Sequence, residues 1–334
     1  MDNLDFLQHH KTYISLNLKN KDIRYYAELL KNGEVIAFPT ETVYGLGASA
    51  WNPSAIQKVF ETKGRPNDNP LIVHVSSKAM VKDFALVIPG EAKKLMDAFW
   101  PGPLTMIFKK KPEVLDQITA GLNTIAVRMP NHQKALNLIE QAGPLVAPSA
   151  NTSGRPSPTN AQHVKDDFGY DFPVLDGGNC PLGLESTVLN VSDKPFEILR
   201  PGYIHKSEIE EILGFSIKTH EMEETTDKPR SPGMKYSHYT PSAEVRWLKP
   251  GENLGNKTAL YLLHDEVISS SNHHIIHYNH DYEKMARELY DRFRQADRVG
   301  FKQVIIEKFS NKIRNNTSLV EALNNRISKA IGLD

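Results

Sequence analysis

A polar loop near the N-terminal end of the chain holds the residues best placed for chemistry. The apolar run 35–38 predicts a buried strand, and the sequence PTETVYGLG follows it at residues 39–47. Loops at strand ends are where α/β proteins hold binding and catalytic groups. The pattern therefore predicts a functional site at the end of this strand.

Two basic residues, Lys63 and Arg65, lie at the C-terminal end of the next predicted helix. Residues 54–62 have the apolar spacing of a helix, Asn52 is a good N-cap, and Gly64 ends the pattern. Lys63 and Arg65 flank that glycine, which places them at a polar helix end outside the core. Such cations interact favourably with the helix dipole. A lysine point charge beside an arginine fork also suits a polyphosphate, so both interpretations stay open.

Two further basic side chains lie on predicted strands. Alternation along residues 124–129 places Arg128 and Thr124 on the face opposite the core aliphatic side chains. In the strand at 71–75, His74 is on the less apolar face. From the pattern alone, a solvated arginine and a structural histidine fit as well as a binding pair.

Ser149 and Asn151 follow the short apolar run 145–147. A nucleophilic serine would need an adjacent base, and the sequence here is PSAN rather than the Gly-x-Ser-x-Gly of a hydrolase. Hydrogen bonding to phosphate oxygens or to a substrate is the better use of these side chains. Ser186 opens another predicted strand and Arg200 closes one, and neither is distinctive by itself.

The composition limits the class of protein. At 334 residues the chain fits two domains, and its formal net charge of zero gives no argument for nucleic-acid or membrane binding. The single cysteine, Cys180, excludes an intramolecular disulfide and fits a reducing compartment. No apolar run approaches the length of a membrane span, so we expect a soluble, cytoplasmic protein. The histidines near 273–280 lack the ligand spacing of a zinc site.

Strand and helix patterns alternate along the chain. Strand-like runs occur at 35–38, 71–75, 104–108, 124–129, 145–147, 174–175, 186–191 and 196–199, with helical patterns at 25–31, 54–62, 91–99, 133–141 and 161–168. This alternation predicts an α/β fold, and the closely spaced later strands predict a mixed sheet. Ser207 with Glu210 predicts a capping box for a closing helix. After a linker-like composition at 219–241, strands are predicted at 259–263, 275–278 and 304–306 and helices at 282–296 and 319–331.

A set of short motifs recurs in order over roughly the first two-thirds of the chain. They are PTETVYGL at 39–46, KGRP at 63–66, NPLIVH at 69–74, WPGPLT at 100–105, VRMP at 127–130, APSAN at 147–151, ESTV at 185–188 and LRPG at 199–202. Together they resemble the YrdC-like domain, in the two-domain form of the L-threonylcarbamoyladenylate synthase family. Each motif alone is weak, but the ordered set is highly specific.

The resemblance implies a fold and a reaction. It implies an α/β protein with an N-terminal YrdC-like mixed twisted sheet with helices over residues 1–215, a linker over 216–243, and a smaller C-terminal Rossmann-like α/β domain over 244–334. It implies a nucleotidyltransferase that joins L-threonine, bicarbonate and ATP into L-threonylcarbamoyladenylate and releases pyrophosphate. The product would pass to a separate tRNA threonylcarbamoyl transferase complex, for modification of adenosine next to the anticodon. Mg²⁺ would arrive with ATP, with no tightly bound cofactor and no protein metal site.

The same resemblance implies roles for particular residues. The catalytic group would be Lys63, Arg65, Ser149 and Asn151. L-threonine would contact Thr40, His74, Arg128 and Ser186. ATP would contact Lys63, Arg65, Thr124, Ser149, Arg200 and Tyr236.

Two other functions stay open from the sequence. Similar domains are linked to structured RNA through a basic concave face, so an RNA-binding module with weak RNA contact is one alternative, which the neutral overall charge does not favour. A carbamoyl transferase using carbamoyl phosphate is the other. Enzymes of that kind normally carry acylphosphatase and zinc-finger segments, which this sequence lacks.

The segment SPGMKYSHYTP at residues 231–241 is richer in functional side chains than a plain spacer needs. Tyrosine, lysine and histidine lie there between prolines that restrict the backbone. Our hypothesis is a lid that folds over the site and excludes water, with Tyr236 near the nucleotide. An ordered but inert linker is the alternative.

Overall fold

The computed structural model describes residues 22–220, 239–265, 274–309 and 317–333. These residues form a nine-stranded sheet and a separate four-stranded sheet, together with the helices that surround them. The expected fold class, a larger mixed α/β sheet followed by a smaller α/β unit, is confirmed.

The larger sheet is mixed, as the spacing of its strands predicts. Its strands are β1 (Ile36–Phe38), β2 (Gly45–Ser49), β3 (Ile72–His74), β4 (Leu104–Lys109), β5 (Thr124–Arg128), β6 (Leu145–Val146), β7 (Thr187–Asn190), β8 (Glu197–Arg200) and β9 (Lys218–Thr219). They lie in the order β1-β2-β6-β3-β5-β4-β7-β8-β9. The pairs β3–β5, β4–β7 and β8–β9 are parallel, and the other neighbours are antiparallel. The edge strand β9 lies within residues expected to belong to the linker.

Helices connect many of these strands. They are α1 (Ile23–Lys31), α2 (Pro53–Lys63), α3 (Gly90–Phe99), α4 (Asp116–Thr119), α5 (Gln133–Ala142), α6 (Ala161–Phe168) and α7 (Lys206–Leu213), with a 3₁₀ helix at Lys78–Asp83. The predicted ends of α2 are confirmed, because Asn52 accepts a hydrogen bond from the amide of Ala55 and Gly64 adopts φ 60°. The predicted capping box of α7 is wrong by two residues. His205 is the N-cap, and Glu208 completes the box by accepting from the amide of His205.

Strand β2 corrects the prediction of a continuous polar loop over residues 39–47. Glycines are poor strand formers, so the sequence hides this strand. A Cβ on Gly47 would lie 2.8 Å from Cε1 of Phe38, so the absence of a side chain is what allows β2 to pack against the β1 side chain. The strand expected at 174–175 is reduced to a single isolated bridge between Ala37 and Val174.

The smaller sheet is wholly parallel. It contains β10 (Glu244–Trp247), β11 (Ala259–Leu263), β12 (Ile275–His277) and β13 (Gln303–Ile306), in the order β10-β13-β11-β12. Two helices, α8 (Tyr282–Val299) and α9 (Thr317–Ile331), accompany it. The sequence did not predict β10, in which only Val245 is buried. An apolar stripe on α8, formed by Tyr282, Met285, Leu289 and Phe293, packs in the core of this unit.

Strands β3 and β5 divide their side chains between two environments. Val73 and Val127 join the large core between the sheet and its helices. Ile72 and Ala126 point the other way and join a small apolar cluster completed by Ile107, Val188 and Leu199. We call this cluster the apolar floor. The alternation predicted from the sequence is confirmed here, and it places the last residues of β3 and β5 on the same face as the floor.

The two units share a buried interface. Val43 and Leu184 of the first unit belong to the apolar core of the second. Arg294 of α8 donates to both carboxylate oxygens of Asp167 in α6, at 2.9 Å each, with both side chains buried. A bidentate arginine–carboxylate pair fixes both the distance between α6 and α8 at this point and their relative orientation. No helix among the described residues is long and apolar enough to cross a membrane.

Candidate functional site

A cleft opens where the ends of β3 and β5 meet the loops that precede β2 and β7. Because β3 and β5 are parallel, both carry their final side chains to the same edge of the sheet. The cleft is lined by many of the residues expected from the sequence, namely Thr40, Arg65, His74, Arg128, Ser149, Ser186 and Arg200.

Arg128 is held in place on three sides at the end of β5. Its Nε donates to the carbonyl oxygen of Gly102 at 3.2 Å, and its Nη1 donates to Oγ1 of Thr42 at 2.9 Å. Its Nη2 lies 2.7 Å from a carboxylate oxygen of Glu41, without the angle of a hydrogen bond, so this contact is an electrostatic pairing. These contacts fix the orientation of the guanidinium, and Arg128 lines the cleft.

His74 pairs in register with Arg128 on the neighbouring strand. Burial, together with the positive charge of Arg128, lowers the pKa of His74 to about 3. The imidazole is therefore neutral near pH 7. Its Nδ1 is buried and has no hydrogen-bond partner among the described residues, and the side chain lines the cleft.

Thr40 shapes the loop before β2. Its hydroxyl donates to the carbonyl oxygen of Val43 at 2.7 Å and accepts from the amides of Thr42 and Val43 at 3.1 and 3.2 Å. This arrangement closes a tight turn and uses most of the hydrogen-bonding capacity of the hydroxyl. Thr40 therefore lines the cleft mainly by fixing the turn that also presents Thr42 to Arg128.

Ser186 and Arg200 form one unit on the opposite wall. Arg200 donates from Nε and Nη2 to the carbonyl oxygen of Ser186, at 3.2 and 3.0 Å. The hydroxyl of Ser186 lies 2.7 Å from that of Thr105 and accepts from Arg200 at 3.2 Å. The serine expected at one substrate and the arginine expected at the other are thus directly connected.

Lys63 lies in the core, and the expectation of a polar helix end outside it is wrong. The residue is 2% exposed and does not line the cleft. Its ammonium donates to the carbonyl oxygens of Ser149 and Asn151, at 2.5 and 2.7 Å. Burial, and the nearby charge of Arg65, lower the pKa of Lys63 well below its usual value. The lysine ties down the loop that presents Ser149 to the cleft.

Asn151 has a similar place in that loop. It is 5% exposed, and its amide nitrogen donates to the carbonyl oxygens of Thr152 and Arg155, at 2.8 and 2.9 Å. It does not line the cleft. The structure therefore brings Ser149 and Arg65 to the cleft and places Lys63 and Asn151 behind it.

Thr124 lies apart from the cleft at the other end of β5. It lines a second cavity, together with Ile107 and Leu199 of the apolar floor. Ile72 of the same floor lines the cleft, so the floor extends between the two cavities. Tyr236 lies outside the described residues.

Comparisons with known proteins identify the family. A family model described as telomere recombination, for the Sua5, YciO and YrdC proteins, matches residues 28–202. A model described as the threonylcarbamoyl-AMP synthase C-terminal domain matches residues 204–332. The chain belongs to the threonylcarbamoyl-AMP synthase family. The resemblance inferred from the motifs is confirmed.

Relatives of threonylcarbamoyl-AMP synthase type match nearly the whole chain. The threonylcarbamoyl-AMP synthase of Pyrococcus abyssi is 41% identical over 325 residues, which cover 93% of this chain and 94% of the relative. That of Bacillus subtilis is 41% identical over 340 residues and covers 95% of each chain. The crystal structure of P. abyssi Sua5 complexed with L-threonine superposes with a TM-score of 0.84 at 40% identity, over 93% of this chain and 94% of that one.

Sequence reasoning missed three residues at the cleft. Glu41 pairs with Arg128, while Glu185 and Tyr239 line the cleft. The two glutamates lie inside the quoted motifs, and a buried arginine needs a nearby counter-charge, so their position was a usable signal. Tyr239 has φ 69° at the described end of the segment 231–241.

Proposed function

We propose that this chain joins L-threonine, bicarbonate and ATP into L-threonylcarbamoyladenylate and releases pyrophosphate. The observation that carries the proposal is the cleft, where three arginines face a neutral histidine and the hydroxyls of two serines. Such a lining suits a ligand that combines a carboxylate with phosphates. Supporting it, the similar P. abyssi protein was crystallised with L-threonine.

Threonine is assigned to the end of the cleft formed by β3 and β5. The remaining N–H groups of Arg128 bind its carboxylate, with Glu41 and Thr42 holding the guanidinium in place. His74 contributes a neutral imidazole to this end of the cleft. Ser186 faces the same space from the opposite wall.

ATP is assigned to the remainder of the cleft and to the apolar floor. Arg65 and Arg200 supply positive charge to the phosphates, and Ser149 supplies a hydroxyl. The base and ribose would lie along the floor toward Thr124, which is about 13 Å from Arg128 for a strand rise of ~3.3 Å per residue. In this arrangement Lys63 and Asn151 act through the loop that carries Ser149.

The chemistry then needs two bond-forming steps. The neutral threonine amine attacks the bicarbonate carbon and water leaves, which gives N-carboxy-threonine. A carboxylate oxygen of that adduct attacks the α-phosphorus of ATP, and the bond to the β-phosphate breaks as pyrophosphate departs. The protein contributes orientation and neutralisation of developing charge, both of which are large terms in phosphoryl chemistry.

The proposal also covers the Mg²⁺ ion and the enzyme that consumes the product. Mg²⁺ enters as part of the MgATP substrate, since Mg²⁺ commonly binds through substrate phosphates with few protein ligands. The product is a reactive mixed anhydride, so a threonylcarbamoyl transferase acting on tRNA must consume it. We assign that transfer to a separate complex. The reaction proposed for this chain is then the first step of tRNA threonylcarbamoyladenosine formation.

The proposal is tested by measuring pyrophosphate release from MgATP with purified protein. Release should require threonine and bicarbonate together, because the nucleophile is their adduct. Labelled bicarbonate should appear in a threonine-containing adenylate detected by mass spectrometry. ATP hydrolysis at the same rate without threonine would contradict the proposal.

Two further arms of that experiment test the carbamoyl transferase alternative and the fit of the threonine pocket. Pyrophosphate release from carbamoyl phosphate and ATP, without threonine, would indicate a carbamoyl transferase instead. Serine keeps the hydroxyl but lacks the methyl group of threonine, and one methyl in a fitted pocket is worth about 1–3 kcal/mol. Serine should therefore be a poor substitute, and equal efficiency would place the amino acid elsewhere.

A further inference from the structure

An arginine of the second unit contacts the chain on both sides of the cleft lining. Arg326 of α9 is fully buried, and its Nε donates to a carboxylate oxygen of Glu185 at 2.9 Å. Its Nη1 donates to the carbonyl oxygen of Pro201 at 3.0 Å. Glu185 directly precedes Ser186 and Pro201 directly follows Arg200, so one guanidinium holds the chain beside two residues that line the cleft.

The two segments held by Arg326 are themselves in close contact. A Cβ on Gly202 would lie 2.2 Å from the amide nitrogen of Thr187 and 2.5 Å from the carbonyl carbon of Ser186. The backbones therefore touch without any side chain between them. A displacement of one segment must move the other, and with it the hydrogen bonds between Arg200 and Ser186.

The carboxylate at this junction depends on its partners across the interface. Glu185 accepts from the hydroxyls of Tyr290 at 2.9 Å and Ser157 at 2.6 Å, in addition to Arg326. Burial opposes its ionisation, but the charges of Arg326 and Arg200 outweigh burial and lower the pKa of Glu185 to about 2. Glu185 is therefore a buried anion balanced from both units. Among the residues that the structure describes, Arg200 is then the other cation that lowers the pKa of Glu185, and the proposed function assigns that charge to the substrate.

We infer that Arg326 is a positioning residue of the active site, through which the second unit fixes Ser186 and Arg200 in their substrate-binding geometry. The inference rests on the proposed function, because it assigns the second unit a part in that reaction. It identifies the second unit as a structural component of the cleft, since Arg326 also lies over the ring of Tyr239, at 5.7 Å, and Tyr239 is itself part of the lining.

The test compares the Michaelis constants of Arg326→Gln, Arg326→Lys and Leu323→Ala in full-length protein. Leu323 is a fully buried apolar residue of the same helix, so its truncation weakens the second unit without removing the contacts with Glu185 or Pro201. Arg326→Gln should raise the KM for both threonine and ATP by about tenfold or more, because small displacements of binding groups are costly. Lysine keeps the charge but cannot contact both partners at once, so Arg326→Lys should give a smaller rise. Leu323→Ala should lower the urea midpoint with KM values near those of the wild type.

Each outcome decides the inference. Wild-type KM values in Arg326→Gln, with a lower urea midpoint, would reduce Arg326 to a stabilising residue and overturn the inference. If Arg326→Gln does not fold, Arg326→Lys takes its place: raised KM values would support the inference, and wild-type KM values would overturn it. Wild-type protein runs in every assay, so a lack of threonine-dependent pyrophosphate release there would count against the proposed function alone.

Discussion

The carboxylate of Glu41 lies 2.7 Å from a terminal nitrogen of Arg128, and both side chains are 5% exposed. Two buried charges this close stabilise each other against the loss of water. The same pairing means that a substrate carboxylate on Arg128 must share the guanidinium with Glu41. Arg128 is suited to this, because its contacts with Gly102 and Thr42 fix its orientation independently of Glu41.

Replacing Arg128 should separate the two substrates. Arg128→Ala removes hydrogen bonds to a charged ligand group, each worth about 1.5–3 kcal/mol, so threonine affinity should fall by about tenfold or more. ATP affinity should change little, since Arg65 and Arg200 remain. Isothermal titration calorimetry with each ligand measures both values. A variant that loses ATP binding and keeps threonine binding would show that the two ends of the cleft are assigned the wrong way round.

Replacing Glu41 should act on stability. Glu41→Gln leaves the buried Arg128 without its counter-charge, so the free energy of unfolding should fall by about 3 kcal/mol. Saturating threonine should restore more stability to this variant than to the wild type, because the ligand carboxylate supplies the missing charge. Urea denaturation with and without threonine measures this. Glu34→Gln is the matched control, because Glu34 forms an exposed pair with Lys58 and should change stability by less than ~1 kcal/mol. Equal losses in the two variants would mean that the Glu41 pair is energetically unimportant.

Lys63 is buried, so we expect the size of its side chain, as well as its charge, to matter for stability and turnover. Lys63→Arg keeps the charge but adds volume at a site that is 2% exposed, so it should destabilise the protein by about 1–3 kcal/mol and disturb the Ser149 loop. Turnover should fall with it. Arg65→Lys, at the neighbouring cleft position, should leave the free energy of unfolding nearly unchanged. A stable and active Lys63→Arg variant would instead favour direct contact between this cation and phosphate.

Local sequence rules predicted the elements that carry the cleft. Alternation along β3 and β5 placed His74 and Arg128 on one face, and the Asn52 cap with Gly64 defined α2, because both signals come from neighbouring residues. The burial of Lys63 was not predictable in this way. Its partners are carbonyl groups of the 149–151 loop, far along the chain.

Contacts between the two units were equally hidden. Arg326 lies in a helix whose sequence carries no motif, and its partners Glu185 and Pro201 belong to the other unit. Strand β2 was missed for a different reason, since its glycines oppose strand propensity and are required by the ring of Phe38. Such features depend on tertiary packing, which overrides local preference.

The neutral state of His74 predicts a particular dependence of stability on pH. Burial and Arg128 lower the pKa of His74 to about 3, whereas an unfolded histidine titrates near ~6.5. Between these values the unfolded chain binds a proton that the folded protein excludes. The contribution of His74 is therefore complete above pH ~6.5 and is lost as the pH falls, by about 2 kcal/mol between pH ~7.5 and ~5. His74→Gln lacks this titration but keeps the other histidines. The difference in unfolding free energy between wild type and variant, from urea denaturation at several pH values, should shrink by that amount on acidification. Parallel pH profiles would show that His74 titrates normally and would remove the neutral imidazole from the threonine site.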